Sequence, residues 1–179
     1  IYRNFSLTDA QHVKNHERVT NHDVKAVEYF IRDRLDAIGL SNHRERVHFG
    51  LTSQDVNNTA VPLSWKQAIE WELIPRLEQV VERIRGYGRQ WISIPMLART
   101  HGQPASPTRL GKEFLVFVER LEKQLHILKA LPVSAKFGGA TGNFNAHHAT
   151  FPKIDWIEFG NEFIQSRLGL VRQQWTTQI

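Results

Sequence analysis

Cysteine is absent from the chain, and this absence excludes several classes of protein. A disulfide scaffold, thiol catalysis and a thiolate-bound zinc site all require that residue. No apolar run approaches the ~20 residues that a membrane-spanning helix needs. The N-terminal residues also lack the basic and apolar regions of a signal peptide. We therefore expect a cytoplasmic protein that does not bind membranes.

Runs of like charge are also missing, although the net charge is +5 and the pI is about 9.7. A basic pI raises the possibility of nucleic-acid binding, which needs cations clustered on one surface. Here the excess is spread thinly, and the largest share, six Lys/Arg against three Asp/Glu, falls in residues 101–150. A solvated surface of mixed charge is the better interpretation, and nucleic acid is not an expected partner.

Helical periodicity dominates the 179 residues, which offer room for one domain or one domain and part of another. The spacing of apolar residues and the capping signals predict helices over about 23–38, 54–85, 106–131 and 153–168. Pro62 and Pro75 are expected to kink or break the second helix. Polar loops are predicted at 41–53, 98–105 and 137–149, and the only strand-like segment is 91–96. The predicted fold is all-α, with a small helical piece at 1–43 followed by part of a long-helix bundle at 44–179.

His101 lies in one of these loops, between Thr100 and Gly102. Histidine can donate or accept a proton near neutral pH, so a ring exposed in a tight loop is a candidate general acid or base. The alternative is a turn histidine that bonds to a backbone carbonyl. The residues alone favour that alternative, because most loop histidines are not catalytic.

Two helix starts carry the other candidates. Thr52 and Ser53 stand where the long helix begins, and unpaired N–H groups with two hydroxyls suit a carboxylate or phosphate. Asn21-His22-Asp23 opens the first helix, where His22 could meet an anion. Ordinary N-capping is the alternative for both segments, by Asn21 or Asp23 in the first helix, and for Thr52 and Ser53 it is on its own the more common use. His48 is a further candidate, with simple loop packing as its alternative.

The segment Gly138–Asn143 has the glycines of a phosphate-binding loop but not its Gly-Lys-Ser/Thr ending. A plain flexible loop is therefore the better prediction. His147 and His148 are adjacent, so on a regular element their side chains would diverge, and no metal site is expected.

Taken together and in this order, these segments resemble the adenylosuccinate lyases of the bacterial type, within the fumarase/aspartase superfamily. The resemblance rests on four segments of the sequence: Thr20–Tyr29, His48–Asp55, Ala98–Ala105 and Trp175–Ile179. It implies β-elimination of fumarate from adenylosuccinate, giving AMP, and from the succinyl-carboxamide imidazole nucleotide SAICAR, giving AICAR, in purine biosynthesis.

The same resemblance implies roles for individual residues. His101 matches the general acid that protonates the departing nitrogen. Thr52 and Ser53 match residues that hold a succinyl carboxylate. Asn21, His22 and Asp23 match a second substrate-contacting segment, and Gln178 matches a substrate-contacting glutamine. The substrate is a small purine nucleotide, and no cofactor is implied.

One motif of the family is not found. Its catalytic base is a serine on a mobile loop with the signature Ser-Ser-x-Met-Pro-x-Lys-x-Asn-Pro, and Met96 lies in an unrelated context. The chain is therefore expected to be an internal fragment, inactive alone. Residues 1–43 would be the end of the helical N-terminal domain and 44–179 the first part of the central bundle. The resemblance implies a homotetramer with active sites drawn from three subunits. The alternatives are a non-catalytic helical assembly module or another fumarate-releasing lyase of the superfamily.

Overall fold

The computed structural model describes residues 2–179, and these are mainly helical. The predicted all-α class is thus confirmed, with a few short strands added. The helices are α1 (Leu7–Thr20), α2 (Asp23–Ala37), α3 (Ser53–Ala68), α4 (Ile74–Gln90), α5 (Leu110–Ala130), α6 (Asn145–Thr150) and α7 (Trp156–Glu162). The strands are β1 (Pro95–Thr100), β2 (Gln103–Arg109), β3 (Ser134–Ala135) and β4 (Val171–Arg172). Turns of 3-10 helix cover Tyr2–Asn4 and Ser41–Arg46, and π-helical turns cover Ile69–Leu73 and Phe163–Arg167. No helix among residues 2–179 is long and apolar enough to cross a membrane.

The chain forms two compact units. Among the described residues, the first unit combines 2–63 with 134–179, and the second comprises 64–133. These units reflect contacts within the chain, and the predicted domain boundary after residue 43 stays a prediction.

In the first unit, α1 and α2 form a helical pair. Ser6 caps α1 through a reciprocal capping box with Asp9, whose carboxylate also bonds Arg34 of α2. Val24, Ala26 and Phe30 bury the inner face of α2.

The later part of this unit is built around aromatic side chains. The parallel strands β3 and β4 pair Ser134 with Val171 and Ala135 with Arg172. The rings of Phe137, Phe144 and Trp156 are buried beside them.

The second unit is a helix pair with a hairpin. Val81 on α4 packs against Val118 and Leu125 on α5. The helices approach closely because Gly88 and Gly111 face each other: a Cβ added to Gly111 would lie 2.1 Å from the carbonyl oxygen of Gly88.

Several predicted boundaries in this unit were wrong. The helix predicted to end near residue 85 continues to Gln90, because Gly88 is used for close packing and not to end the helix. The break falls at the π-helical turn Ile69–Leu73, which ends two residues before Pro75, whereas α3 runs through Pro62. A wider turn accommodates the missing N–H and the ring of Pro75.

The helix predicted to start at Ser106-Pro107 starts instead at Leu110, because residues 103–109 form β2. In the first unit α1 was not predicted. The helix expected over 153–168 begins later, at Trp156, and ends in the π-helical turn Phe163–Arg167.

Candidate functional site

His22 links the starts of α2 and α3. It is the N-cap of α2, where its Nδ1 accepts the Lys25 backbone N–H at 3.3 Å. In the neutral ring the proton then lies on Nε2, which is 3.2 Å from Ser53 Oγ. Nδ1 is also 3.4 Å from Asp23 Oδ1, so a protonated ring can pair with that carboxylate. The cap is therefore His22 itself, and not Asn21 or Asp23 as the capping alternative supposed.

The first turn of α3 brings three more of the predicted residues together. Thr52 directly precedes the helix, which begins at Ser53. The first four N–H groups of a helix have no intrahelical acceptor and carry a positive partial charge. The Thr52 hydroxyl accepts the Gln178 side-chain amide at 3.5 Å. His22, Thr52, Ser53 and Gln178 thus meet at one electropositive helix end.

Asn21 serves the backbone at this site. It ends α1 in the left-handed conformation, with φ of +50°, and its N–H bonds the Glu17 carbonyl oxygen at 2.8 Å. Asparagine tolerates this conformation better than most residues. Its side chain is exposed next to His22, as is the side chain of Asp23.

His101 lies in the other compact unit, at the tip of the β1–β2 hairpin. The pairing of Thr100 with Gln103 leaves His101 and Gly102 as a two-residue turn. Their φ angles are +48° and +75°, as a type I′ turn requires. His101 is exposed, so the turn presents this side chain to solvent. Its role as general acid stays a prediction.

The glycine-rich segment is not a flexible loop, and that prediction was wrong. Gly138 and Gly139 are buried, and their N–H groups donate to the Asp55 carboxylate at 2.9 to 3.2 Å. Lys136 Nζ lies 2.8 Å from Asp55 Oδ1, and both side chains are buried. Successive N–H groups form an anion-binding concavity, and the anion bound here is the protein's own carboxylate.

His147 is buried and packs in the core, a role that could not be seen in the sequence, where His147 was considered only as a metal ligand. It is 3% exposed, and its ring contacts those of Phe49, Phe144 and Trp156. Burial lowers the pKa of this imidazole, and the charge of Asp55 partly opposes the shift. A Cβ on Gly50 would lie 2.5 Å from the ring, so the glycine permits the close approach. The ring therefore helps to place the segment that leads into Thr52.

His48 contacts a buried carboxylate. Its Nδ1 lies 3.8 Å from Glu28 Oε2, and Glu28 also pairs with Lys25 at 2.6 Å and Arg32 at 2.8 Å. This arrangement ties α2 to the segment before α3. Among residues 2–179, no three or more His, Cys, Asp or Glu side chains are grouped so that they could hold a metal ion.

Comparisons with known proteins support the resemblance seen in the sequence. A family model described as Lyase matches residues 1–179. The chain is 52% identical to an adenylosuccinate lyase of Dictyostelium discoideum, over 100% of this chain and 40% of that protein. It is 43% identical to an adenylosuccinate lyase of Vibrio cholerae and 42% identical to one of Escherichia coli strain K12. These two matches cover 100% of this chain and 40% and 39% of those proteins.

The chain thus spans about 40% of the length of the curated relatives it matches. Among solved structures, it is similar to a 3-carboxy-cis,cis-muconate lactonizing enzyme from Pseudomonas putida, with a TM-score of 0.71 and 20% identity. That match covers 97% of this chain and 38% of the other, and it concerns the fold. The whole-length family match and the level of identity to these relatives establish that this chain belongs to the lyase family.

Proposed function

We propose that this chain is part of an adenylosuccinate lyase, which cleaves the C–N bond of adenylosuccinate to give AMP and fumarate. The observation that carries the proposal is the meeting of His22, Thr52, Ser53 and Gln178 at the start of α3. The 52% identity to an adenylosuccinate lyase supports this substrate over others of the lyase family.

The helix start suits a succinyl carboxylate. Free N–H groups, two hydroxyls and the helix dipole all favour negative charge at this place. When a proton leaves the carbon beside the carboxylate, negative charge grows on the carboxylate oxygens. Donors already in position would stabilise that charge without reorganising, as in an oxyanion hole. Thr52 and Ser53 are the residues that would supply them.

The remaining steps are proton transfers. A base takes the proton from the carbon, the C–N bond breaks, and its electron pair goes to the departing nitrogen. His101 would donate a proton to that nitrogen as general acid. The base belongs to the serine-rich loop signature that residues 1–179 do not contain. Asn21, His22 and Asp23 would contact the rest of the substrate, and Gln178 would contact the succinyl part through its position beside Thr52.

Product release from adenylosuccinate tests this function. The protein in its full natural length should form AMP and fumarate in equal amounts, and AICAR and fumarate from SAICAR. A His101→Gln variant should lose roughly 10²–10⁴-fold in kcat, the usual contribution of a general acid. His126→Gln is the matched control, because His126 is another exposed histidine of the same compact unit.

Each other outcome has a clear meaning. Turnover of a different succinyl compound with none of adenylosuccinate would assign the chain to another fumarate-releasing lyase. No turnover of any of them would favour a non-catalytic helical module. Equal activity of the His101→Gln and His126→Gln proteins would remove His101 from the mechanism.

The proposal extends to assembly and location. We propose a cytoplasmic homotetramer acting in purine biosynthesis. Large apolar side chains are exposed on the second unit, among them Trp65 at 65%, Trp71 at 67% and Phe117 at 56%. Exposed apolar area of this kind favours association between subunits. Light scattering after size exclusion should give a mass four times that of one chain, and a stable monomer would contradict it.

A further inference from the structure

Asp55 is the most completely enclosed charged side chain of the first unit. The residue is 2% exposed and lies in the first turn of α3. Its Oδ1 accepts the N–H groups of Gly138 and Gly139 at 2.9 and 3.2 Å. Its Oδ2 accepts those of Gly139 and Thr52 at 3.0 and 2.8 Å. A buried carboxylate requires such partners, and one of these bonds reaches the backbone of Thr52, a residue of the candidate site.

Lys136 completes the arrangement. Its Nζ pairs with Asp55 Oδ1 at 2.8 Å and donates to the Gly139 carbonyl oxygen at 2.5 Å. The ion pair therefore holds the start of α3 and the segment 136–139 together. Three residues after this segment, Gly142 lies close to Thr176, because a Cβ on Gly142 would lie 2.4 Å from Thr176 Oγ1. Thr176 is two residues before Gln178, so this contact also helps to place Gln178, which bonds the Thr52 hydroxyl.

The bond from Thr52 N–H to Asp55 changes what the Thr52 side chain does. An N-cap threonine ordinarily uses its hydroxyl to cap the helix N–H groups. Here Asp55 binds the Thr52 N–H in the reverse half of a capping box, and the Asp55 N–H bonds the Thr52 carbonyl oxygen at 2.9 Å. The Thr52 hydroxyl is left to meet Gln178, on the exposed side of the helix start.

We propose that Asp55, held by Lys136, is a positioning residue for the carboxylate site. It fixes the backbone of residues 52 and 53 so that both hydroxyls and the free N–H groups face the substrate, which Asp55 itself never touches. This inference rests on the function proposed above, because it assumes that the helix start holds a carboxylate of the substrate.

The competing explanation is that Asp55 only stabilises the fold. Binding of the two products, fumarate and AMP, distinguishes this explanation from the positioning role. Fumarate carries the carboxylates that Thr52 and Ser53 would hold, whereas AMP lacks them. Asp55→Asn keeps the size of the side chain but replaces one of the two accepting oxygens by an amide donor, which then faces a backbone N–H of Thr52, Gly138 or Gly139. Loss of position should weaken fumarate binding, while general loss of stability should weaken both products alike.

The test measures inhibition constants of fumarate and AMP on the protein in its full natural length. For Asp55→Asn we expect the fumarate constant to rise roughly tenfold or more and the AMP constant by less than about threefold. Ile164→Ala is the control, because Ile164 is 0% exposed in the same unit, its apolar side chain takes no part in the Asp55–Lys136 ion pair, and its truncation leaves a cavity. It should lower the melting temperature without changing the ratio of the two constants.

Lys136→Met is the second variant and decides the matter if Asp55→Asn fails to fold. It keeps the length of the side chain, removes the charge and leaves Asp55 with its N–H donors. Its fumarate constant should rise by a smaller factor, again without a matching rise for AMP. Equal shifts for the two products, or no shift in either, would overturn the positioning role. A wild-type protein that neither cleaves adenylosuccinate nor binds fumarate would instead overturn the proposed function.

Discussion

The contact between α4 and α5 predicts that replacing a glycine by alanine lowers the stability at Gly111 but raises it at Gly86. A Cβ added to Gly111 would meet the Gly88 carbonyl oxygen at 2.1 Å and the Ile92 backbone N and Cα at 2.5 and 2.6 Å. All three are backbone atoms, so no rotamer change can move them away. A Cβ added to Gly86 would meet nothing within 4 Å.

The magnitude follows from the geometry. Ordinary contact begins at 3.4 Å, so a Gly111→Ala chain must open a gap of 3.4 − 2.1 = 1.3 Å between the two helices. That separation loosens the cluster of Val81, Val118 and Leu125. Overpacking costs typically 1–3 kcal/mol, and the better helix propensity of alanine returns up to about 1 kcal/mol. Because all three clashes are with backbone atoms, we place the cost at the upper end of that range and expect Gly111→Ala to lower the free energy of unfolding by about 3 − 1 = 2 kcal/mol.

Gly86→Ala should do the opposite. Gly86 is an exposed position inside α4, and replacing a helical glycine by alanine stabilises by roughly 0.5–1 kcal/mol. Gly88→Ala should fall between the two, because its nearest clash, at 2.6 Å, is with the side chain of Leu115, which can rotate. The expected order of stability is Gly86→Ala, wild type, Gly88→Ala and Gly111→Ala.

Urea unfolding of the four proteins at one concentration gives the order directly, since the slope should stay constant while the midpoint moves. Far-ultraviolet circular dichroism follows the helices themselves. If Gly111→Ala proved as stable as Gly86→Ala, α4 and α5 would not pack through these glycines, and the helix contact described above would be refuted.

Three other tests probe the first unit, and two of them have a matched control substitution. Gly50→Ala should lower the melting temperature more than Gly39→Ala, because both positions have positive φ but only the alanine at 50 would also strike the His147 ring. Since burial lowers the pKa of His147, the unfolded chain takes up the proton first, and the free energy of unfolding should fall as the pH drops below about 6.5. The free energy of unfolding measured against pH should lose this decrease in His147→Gln. The decrease should remain in His148→Gln, because His148 is exposed. Ile164→Ala should cost about 2–5 kcal/mol in urea unfolding, and a cost below about 1 kcal/mol would contradict its complete burial.

The helices with a clear apolar stripe could be predicted from the sequence. The predicted helix 23–38 corresponds to α2 at Asp23–Ala37, because Val24, Val27 and Ile31 recur at helical spacing. Helix α1 has only a weak stripe, and its stability comes from the Ser6 cap and from contact with α2. Its signal was the Ser-x-x-Asp spacing of Ser6 and Asp9, which resembles a capping box.

The hairpin was obscured by its prolines. Ser106-Pro107 has the form of a helix start, and that interpretation was reasonable locally. In a two-stranded sheet both strands are edges, so β2 can hold Pro104 and Pro107 without losing a needed ladder bond. The better signal was His101-Gly102, two residues suited to positive φ between extended segments.

Of the candidate site, only the exposed side chains could be predicted from the sequence. His22, Thr52, Ser53 and Gln178 stood out because their types suit anions, and the structure brings them together. Their roles in catalysis stay predictions. What could not be predicted is the buried support beneath them.

That support joins residues far apart in the chain. Asp55 and Lys136 are separated by 136 − 55 = 81 positions, and each looks like an ordinary surface charge in its own segment. The glycines after Lys136 suggested either a phosphate loop or a flexible one, and they are neither, because Asp55 occupies their N–H groups. Folding must therefore close this long loop before either charge is compensated. A lysine two residues before a pair of glycines, with an aspartate three residues after a helix cap, is the pattern that would mark such a support in another sequence.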